Sequence, residues 1–270
     1  NNPDDEWKSD EIEYLLLGDS FVHGACVDRP NDISSNLREL SNKSVLNLGI
    51  QDSGPLSEFA SLREYYKKNT KKIIWVFFGG NDISDLALEL NNDILKKYLV
   101  NKNFKQNLKN RQNEIDELTY KYIPKKKENL LTNNILSSTI KLRKTRYKIK
   151  ALKAAQKDKK FDQQQNINHI YNHFQKILEK TKEFSINNGS KLYFVYIPYN
   201  EKNMKINLKN YKKVKKIVNK LDIPFIDLNT ELFEKKEDPL TLYPFKYINY
   251  HFTPNAYKEI AEIIFKKTNN

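Results

Sequence analysis

Short apolar runs alternate along the chain with longer stretches in which apolar residues recur every three or four positions. The short runs are typical of buried parallel strands, and the longer stretches are typical of amphipathic helices. We predict five strands, at residues 13–18, 44–48, 72–78, 191–197 and 224–228. This alternation indicates an α/β fold in which helices cover both faces of a parallel sheet.

Helical spacing is clearest in four stretches between and after these strands. They are Ile33, Leu37 and Leu40; Leu56, Phe59, Leu62 and Tyr66; residues 206–221; and residues 254–267. Pro55 and Pro254 each suit the first turn of a helix, where a missing backbone N–H costs no hydrogen bond.

The alternation is interrupted between the third and fourth strands. Roughly a hundred residues separate Asn81 from Lys191, whereas a crossover needs about a dozen. We predict that residues 86–99 and 163–188 are helices of the sheet and that residues 101–162 are a basic, mostly helical insertion in a single domain of residues 1–270. Such insertions often form lids or substrate walls, and a helical hairpin with no part in chemistry is the alternative.

The chain carries a net charge of +13 from 47 basic and 34 acidic residues. This raises nucleic acid or an anionic surface as a partner. The lysines concentrate in the insertion, at residues 125–127, 141–150 and 157–160, where a solvated helical face is the simpler interpretation. We therefore expect no nucleic-acid partner.

No apolar run approaches the roughly 18 residues of a membrane-spanning helix, and the first residues have no signal-peptide pattern. We expect no membrane contact from this chain. A cell-envelope or periplasmic location follows if a signal or anchor has been lost, and a cytoplasmic one otherwise. The single cysteine, Cys26, excludes an internal disulfide and is interpreted as a packing residue rather than a second nucleophile.

The first strand stops abruptly at Gly18, Asp19 and Ser20. Ligand chemistry in open α/β sheets gathers beyond the carboxyl ends of the strands. Ser20 is therefore the first candidate nucleophile. The alternative is a polar turn whose serine only caps the next helix.

Four segments together resemble the SGNH (GDSL) hydrolase superfamily. They are Gly18-Asp19-Ser20-Phe21, residues 47–54 (Asn-Leu-Gly-Ile-Gln-Asp-Ser-Gly), Gly79-Gly80-Asn81-Asp82, and residues 250–255 (Tyr-His-Phe-Thr-Pro-Asn). Each follows a predicted strand or opens the last helix, in the order that the family has. The resemblance implies a three-layer α/β/α flavodoxin-like domain with its site at the carboxyl edge of a five-stranded parallel sheet.

The resemblance also implies roles for individual residues. Ser20 would be the nucleophile and His251 its base, because a serine hydroxyl is a poor nucleophile until a base takes its proton. The Asn81 carboxamide, the Ser20 N–H and an N–H of the second segment would hold the oxyanion. Gly80 would let the backbone approach a ligand closely, although Asn81-Asp82 could also be only a helix cap. No metal or organic cofactor is needed.

The second segment departs from the family. The oxyanion glycine, five residues after Asn47, falls at Asp52, and Gly54 lies two residues later. Either the loop is shifted so that Gly54 donates, or this donor is compromised by the Asp52 carboxylate.

The acid of the triad departs as well. The family's acid lies three residues before the histidine, at Ile248, or two before it in relatives that acetylate polysaccharides, at Asn249. Three explanations stay open: a Ser20/His251 dyad steered by a backbone carbonyl, an acid from elsewhere such as Asp227 or Asp238, or no catalysis.

The other histidines are weaker candidates. His23 follows Ser20 so closely that it suits the pocket wall better than the base. His169 and His173 lie one helical turn apart but have no further ligands nearby in sequence, so we interpret them as structural or surface residues.

We thus predict a serine-dependent hydrolase or acyltransferase that acts on a small-molecule or glycan ester, with acyl groups on carbohydrate favoured by analogy with the family. A catalytically impaired domain that binds acylated glycan or a protein is the alternative. A nucleic-acid binder using the basic insertion comes third. A nucleotide-binding flavodoxin-like protein lacks support, because no phosphate loop with a following Lys-Ser or Lys-Thr is present. The sequence leaves the oligomeric state open.

Overall fold

The computed structural model describes residues 2–122, 167–199, 208–246 and 251–269. The chain divides into two compact units. The first comprises residues 1–106 and 171–270, and the second comprises residues 107–170. In the second unit, the described part contains a 3₁₀ turn, Leu108–Arg111, and a helix, Gln112–Tyr122. The rest of the predicted insertion, residues 123–162, lies outside the described residues.

The first unit is built on a parallel sheet of five strands in the order β2-β1-β3-β4-β5. The strands are β1 (Ile12–Leu17), β2 (Val45–Asn47), β3 (Thr70–Phe78), β4 (Lys191–Ile197) and β5 (Phe225–Asp227). The predicted strands are therefore confirmed, and their boundaries differ by at most two residues at either end. Edge strands β2 and β5 pair over only three residues each.

Helices connect the strands. They are α1 (Asp4–Lys8), α2 (Ser20–His23), α3 (Ile33–Ser41), α4 (Pro55–Tyr65), α5 (Asp82–Glu89), α6 (Asp93–Val100), α7 (Gln112–Tyr122), α8 (Ile167–Asn187), α9 (Leu208–Lys220), α10 (Leu228–Glu231) and α11 (Pro254–Asn269). Pro55 and Pro254 begin α4 and α11, as predicted.

Alternate side chains of the central strands enter two different cores. Leu16 and Ile74 on neighbouring strands pack into one core with Ile33 of α3 and Ile260 of α11. On the opposite face, Phe77 packs against Phe174 of α8 with ring centroids 5.2 Å apart. The three-layer α/β/α arrangement is thereby confirmed, since an all-parallel sheet needs cover on both faces.

The predicted helix at residues 86–99 is in fact two helices. The helix α5 ends at Glu89. The Asn92 side chain then accepts hydrogen bonds from the backbone N–H groups of Ile94 and Leu95, and in this way it caps the start of α6. An asparagine at this position competes with helix continuation because it caps a new N-terminus.

Residues 101–106 belong to the first unit, although they begin the predicted insertion. The buried Arg63 guanidinium of α4 donates to four backbone carbonyls, those of Tyr98, Asn101, Lys102 and Phe104. One side chain thus fixes the course of the chain beyond α6. Among the described residues, no helix has an apolar stretch long enough to cross a membrane.

Candidate active site

Ser20 lies just beyond the carboxyl end of β1, as the first residue of α2. Gly18 has a φ of +152°, and a Cβ there would collide with the Val22 side chain and the Val76 carbonyl. The turn therefore needs glycine, and it places the half-buried Ser20 at the edge of the sheet. Its backbone N–H belongs to the first helical turn, where no intrahelical acceptor exists.

His251, three residues before the last helix, meets Ser20 at this edge. Its Nε2 lies 2.7 Å from Ser20 Oγ, although the two residues are 231 positions apart in sequence. The imidazole packs on Phe21, with ring centroids 4.9 Å apart. Burial lowers the pKa of His251, and the negative charge of Asp52 opposes this shift without cancelling it. The imidazole is thus kept neutral near pH 7, as a proton acceptor must be.

The other ring nitrogen faces a cysteine. The Sγ atom of Cys26 lies 3.6 Å from His251 Nδ1, within hydrogen-bond distance for sulfur. Cys26 is exposed and has a φ of +69°. The interpretation of Cys26 as a packing residue is therefore wrong: the left-handed turn carries its side chain out of the core and towards the histidine.

The acids proposed for the triad are held elsewhere. Asp227 bonds to Tyr211 and Lys215, at 2.5 Å and 3.2 Å, and Asp238 pairs with Lys246 at 2.6 Å. Ile248 and Asn249 lie outside the described residues, and residues 247–250 contain no carboxyl group. Among the described residues, Asp52 is the carboxylate whose negative charge raises the pKa of His251, against the larger effect of burial.

The second segment is bonded tightly to the first. The Asn47 side chain donates to the Val22 carbonyl, at 2.6 Å, and accepts from the Gly49 N–H, at 2.8 Å. The Gly54 N–H donates to the Glu89 carboxylate, at 2.8 Å, and so is engaged at the start of α4 in this structure. The exposed Asp52 has a φ of +59°, a conformation that aspartate tolerates better than most residues.

The third segment brings Asn81 to the same edge. Its Nδ2 donates to Asp85 Oδ2 at 2.6 Å, and its buried Oδ1 has no hydrogen-bond partner among the described residues. The two preceding glycines have a packing role: a Cβ at Gly79 would strike the Tyr196 hydroxyl, and one at Gly80 would strike the Phe78 ring. Close approach of aromatic rings is therefore one reason for glycine at both positions.

Sequence reasoning missed a group of buried and half-buried carboxyls beneath the site. It comprises Asp19, Glu58, Asp82, Asp85 and Glu89. Burial is the main cause that raises the pKa of each, to about 6 for Asp19 and about 7 for Asp85. One oxygen each of Glu58 and Asp82 has no partner among the described residues. The available signal was Glu58, an acid between the apolar residues Leu56 and Phe59 of a predicted helix.

The remaining histidines lie on two helices. His23 ends α2 and is half-buried, and His169 and His173 lie on α8. In the described ranges, no group of three histidine, cysteine or acidic side chains is arranged to hold a metal ion.

Comparison with known proteins shows which solved structures share this fold. No protein-family model and no curated protein matches the sequence. Among solved structures, a protein of the lipolytic G-D-S-L family from Desulfitobacterium hafniense superposes with a TM-score of 0.52 at 13% identity, covering 95% of this chain and 99% of that one. Phospholipase A1 from Streptomyces albidoflavus superposes with a TM-score of 0.50 at 9% identity, covering 95% and 99%. A Lactobacillus plantarum protein gives 0.52 at 8% identity, covering 96% and 98%. This chain therefore shares its fold with these solved structures, one of which is described as a protein of the G-D-S-L family.

Proposed function

We propose that this chain, which has the fold of the SGNH (GDSL) hydrolases, is a serine ester hydrolase whose nucleophile is Ser20 and whose general base is His251. The observation that carries the proposal is the 2.7 Å contact between Ser20 Oγ and His251 Nε2. Nucleophile and base within hydrogen-bond distance, at the carboxyl edge of a parallel sheet, are what nucleophilic acyl transfer requires.

The reaction follows from this geometry. Ser20 Oγ attacks the ester carbonyl carbon while its proton passes to His251 Nε2. The imidazolium then returns that proton to the departing alkoxide oxygen, which leaves an acylated Ser20. Water, activated by the same nitrogen, hydrolyses the acyl group in the second half of the cycle. An alcohol in place of water would make the protein an acyltransferase.

Two donors are proposed for the oxyanion, the Ser20 N–H and the Asn81 carboxamide. A donor of this kind lowers the activation barrier by about 3 to 4 kcal/mol. In the structure the Asn81 NH₂ group donates to Asp85. Because burial raises the pKa of Asp85 to about 7, this acid is partly protonated near neutrality and accepts less strongly, which favours release of the amide N–H towards a substrate.

The proposed substrate is an acyl ester of a carbohydrate, which rests on analogy with the family alone. A second candidate function is a binding domain for acylated glycan. It is favoured by a specific observation: within the described residues, the nitrogen of His251 that faces away from Ser20 has a thiol rather than a carboxylate as its partner.

A fluorophosphonate probe tests the proposal without knowledge of the substrate. We expect a covalent adduct on Ser20, located by mass spectrometry, because this reagent reacts with serines that a base has activated. Ser20→Ala and His251→Ala should each abolish the adduct while circular dichroism shows an intact fold.

A matched control is Ser41→Ala. The Ser41 hydroxyl donates to a carbonyl of its own helix α3, away from the site, so labelling should stay at the wild-type level. If a folded wild-type protein acquires no adduct yet retains an acetylated oligosaccharide, the hydrolase proposal is wrong and the binding domain is the better account.

A further inference from the structure

We propose that Cys26 is a positioning residue for the base, its sulfur accepting a hydrogen bond from His251 Nδ1–H where a serine hydrolase ordinarily has a carboxylate. This inference rests on the proposed function of Ser20 and His251 and adds the third member of their group. Cys26 Sγ lies 3.6 Å from Nδ1, and Ser20 Oγ lies 2.7 Å from Nε2 of the same ring. The imidazole is thus held at both nitrogens.

Hydrogen bonds hold the turn that carries Cys26 close to His251. The Ser20 carbonyl accepts hydrogen bonds from the N–H groups of Gly24 and Ala25, which closes the chain into a tight loop immediately after α2. The Ala25 carbonyl in turn accepts from the buried Tyr257 hydroxyl of α11, at 3.1 Å. Because α11 begins three residues after His251, this bond ties the cysteine turn to the helix that follows the base.

The chemical consequence concerns the tautomer. A neutral imidazole accepts the Ser20 proton only if its own proton is on Nδ1, and an acceptor opposite Nδ1 selects that form. When Nε2 takes the serine proton, Nδ1–H stays bonded to the sulfur, which limits rotation of the ring. Sulfur is a weaker acceptor than a carboxylate, so its effect should be smaller than the roughly 10⁴-fold of a triad aspartate.

Asp52 is the competing group. Its carboxylate favours the charged form of His251 electrostatically, but no hydrogen bond joins it to the ring among the described residues. The two residues therefore have separable effects: Cys26 should govern the tautomer and orientation of the ring, and Asp52 its affinity for a proton.

The backbone at Cys26 makes a sharp test available. At a φ of +69°, aspartate and asparagine are the best tolerated side chains after glycine. Cys26→Asp places a charged acceptor opposite Nδ1, Cys26→Asn is its neutral match in shape, and Cys26→Ala removes the acceptor. We would measure kcat and KM for p-nitrophenyl acetate and the rate of fluorophosphonate labelling at Ser20.

We expect Cys26→Ala to lower kcat by about tenfold or more with little change in KM, which is the signature of an effect on the chemical step. Cys26→Asp should restore kcat to the wild-type level or above it, and Cys26→Asn should recover less. Wild-type kcat in Cys26→Ala, or equal kcat in the aspartate and alanine variants, overturns the proposal. A larger loss in Asp52→Asn than in Cys26→Ala would assign the positioning role to Asp52 instead.

A second measurement separates this inference from the proposed function. Nitrogen NMR of protein labelled in its histidine side chains reports the tautomer of His251 directly. We expect the Nδ1–H form in the wild type and a mixture in Cys26→Ala, even if Ser20 proves unreactive towards the probe. The same tautomer mixture in both proteins contradicts the hydrogen bond to sulfur.

Discussion

The pKa of His251 is determined by the groups that surround its ring. Its ring packs on Phe21 and is half-buried, so the charged form loses hydration and the pKa falls. Asp52 opposes the shift but does not reverse it. The base is therefore in its neutral, competent form over a wider range of pH than an exposed histidine would be.

This leads to a prediction about rate and pH. Since only neutral His251 accepts the Ser20 proton, kcat/KM should rise with pH and reach its half-maximal value below the ordinary histidine pKa of about 6.5. We would measure hydrolysis of p-nitrophenyl acetate between about pH 4.5 and 8. Asp52→Asn should move the midpoint lower still, because it removes the charge that favours imidazolium. A midpoint above that of a free histidine contradicts the lowered pKa assigned to His251.

At the scale of elements, the end of one helix supports the beginning of another. Glu89, the last residue of α5, accepts hydrogen bonds from the N–H groups of Gly54 and Leu56, at 2.8 Å and 2.9 Å. These N–H groups belong to the start of α4, where the helix itself supplies no acceptors. Since α4 follows the second site segment, Glu89 helps to hold that segment in place.

We predict that Glu89→Ala lowers the free energy of unfolding by roughly 1 to 3 kcal/mol, because two buried donors lose their acceptor. Glu89→Gln, which keeps one oxygen, should cost less. Urea denaturation followed by circular dichroism measures both. Glu39→Ala, at an exposed position of α3, is the control and should change stability by less than about 0.5 kcal/mol. An equally small effect of Glu89→Ala would show that this carboxylate is not a structural cap.

At the scale of the whole molecule, the five buried or half-buried carboxyls influence one another. Glu58 and Asp82 are each destabilised as anions first by burial and then by the charge of Asp19. A protein with a net charge of +13 thus keeps a set of acids whose pKa values burial raises. The basic residues do not neutralise them, since each ion pair between described residues involves other acids.

These acids predict the direction in which stability depends on pH. Each has a higher pKa in the folded state than in the unfolded chain, so the folded protein binds more protons between those two values, and stability falls as pH rises through them. Asp19 and Asp85, with pKa values of about 6 and about 7, define a window from about pH 4 to pH 7. The lowered pKa of His251 acts in the opposite direction within this window, but it is one group against five.

We therefore expect the free energy of unfolding to decrease from pH 5 to pH 8, with Asp19 alone contributing roughly 1 to 3 kcal/mol. Urea midpoints at several pH values measure the change. Asp85→Asn removes one of the titrating groups and should flatten the dependence, because the amide carries no charge at any of these pH values. Stability that increases steadily towards pH 8 would contradict the raised pKa values.

Much of this protein could be predicted from its sequence. Strand and helix periodicity depends on residues a few positions apart, and parallel strands end at a common edge, so the five strands, the α/β/α class and the placing of Ser20 at that edge all followed from local pattern. Only the tertiary structure decided which groups meet there. The contacts of Ser20 and Cys26 with His251 span 231 and 225 positions. The five carboxyls beneath them come from α4, from α5 and from the turn before α2. Packing of the whole chain selects such pairs, and for that reason the partner of Nδ1, the engagement of Gly54 by Glu89 and the shifted pKa values could not be inferred from any single segment.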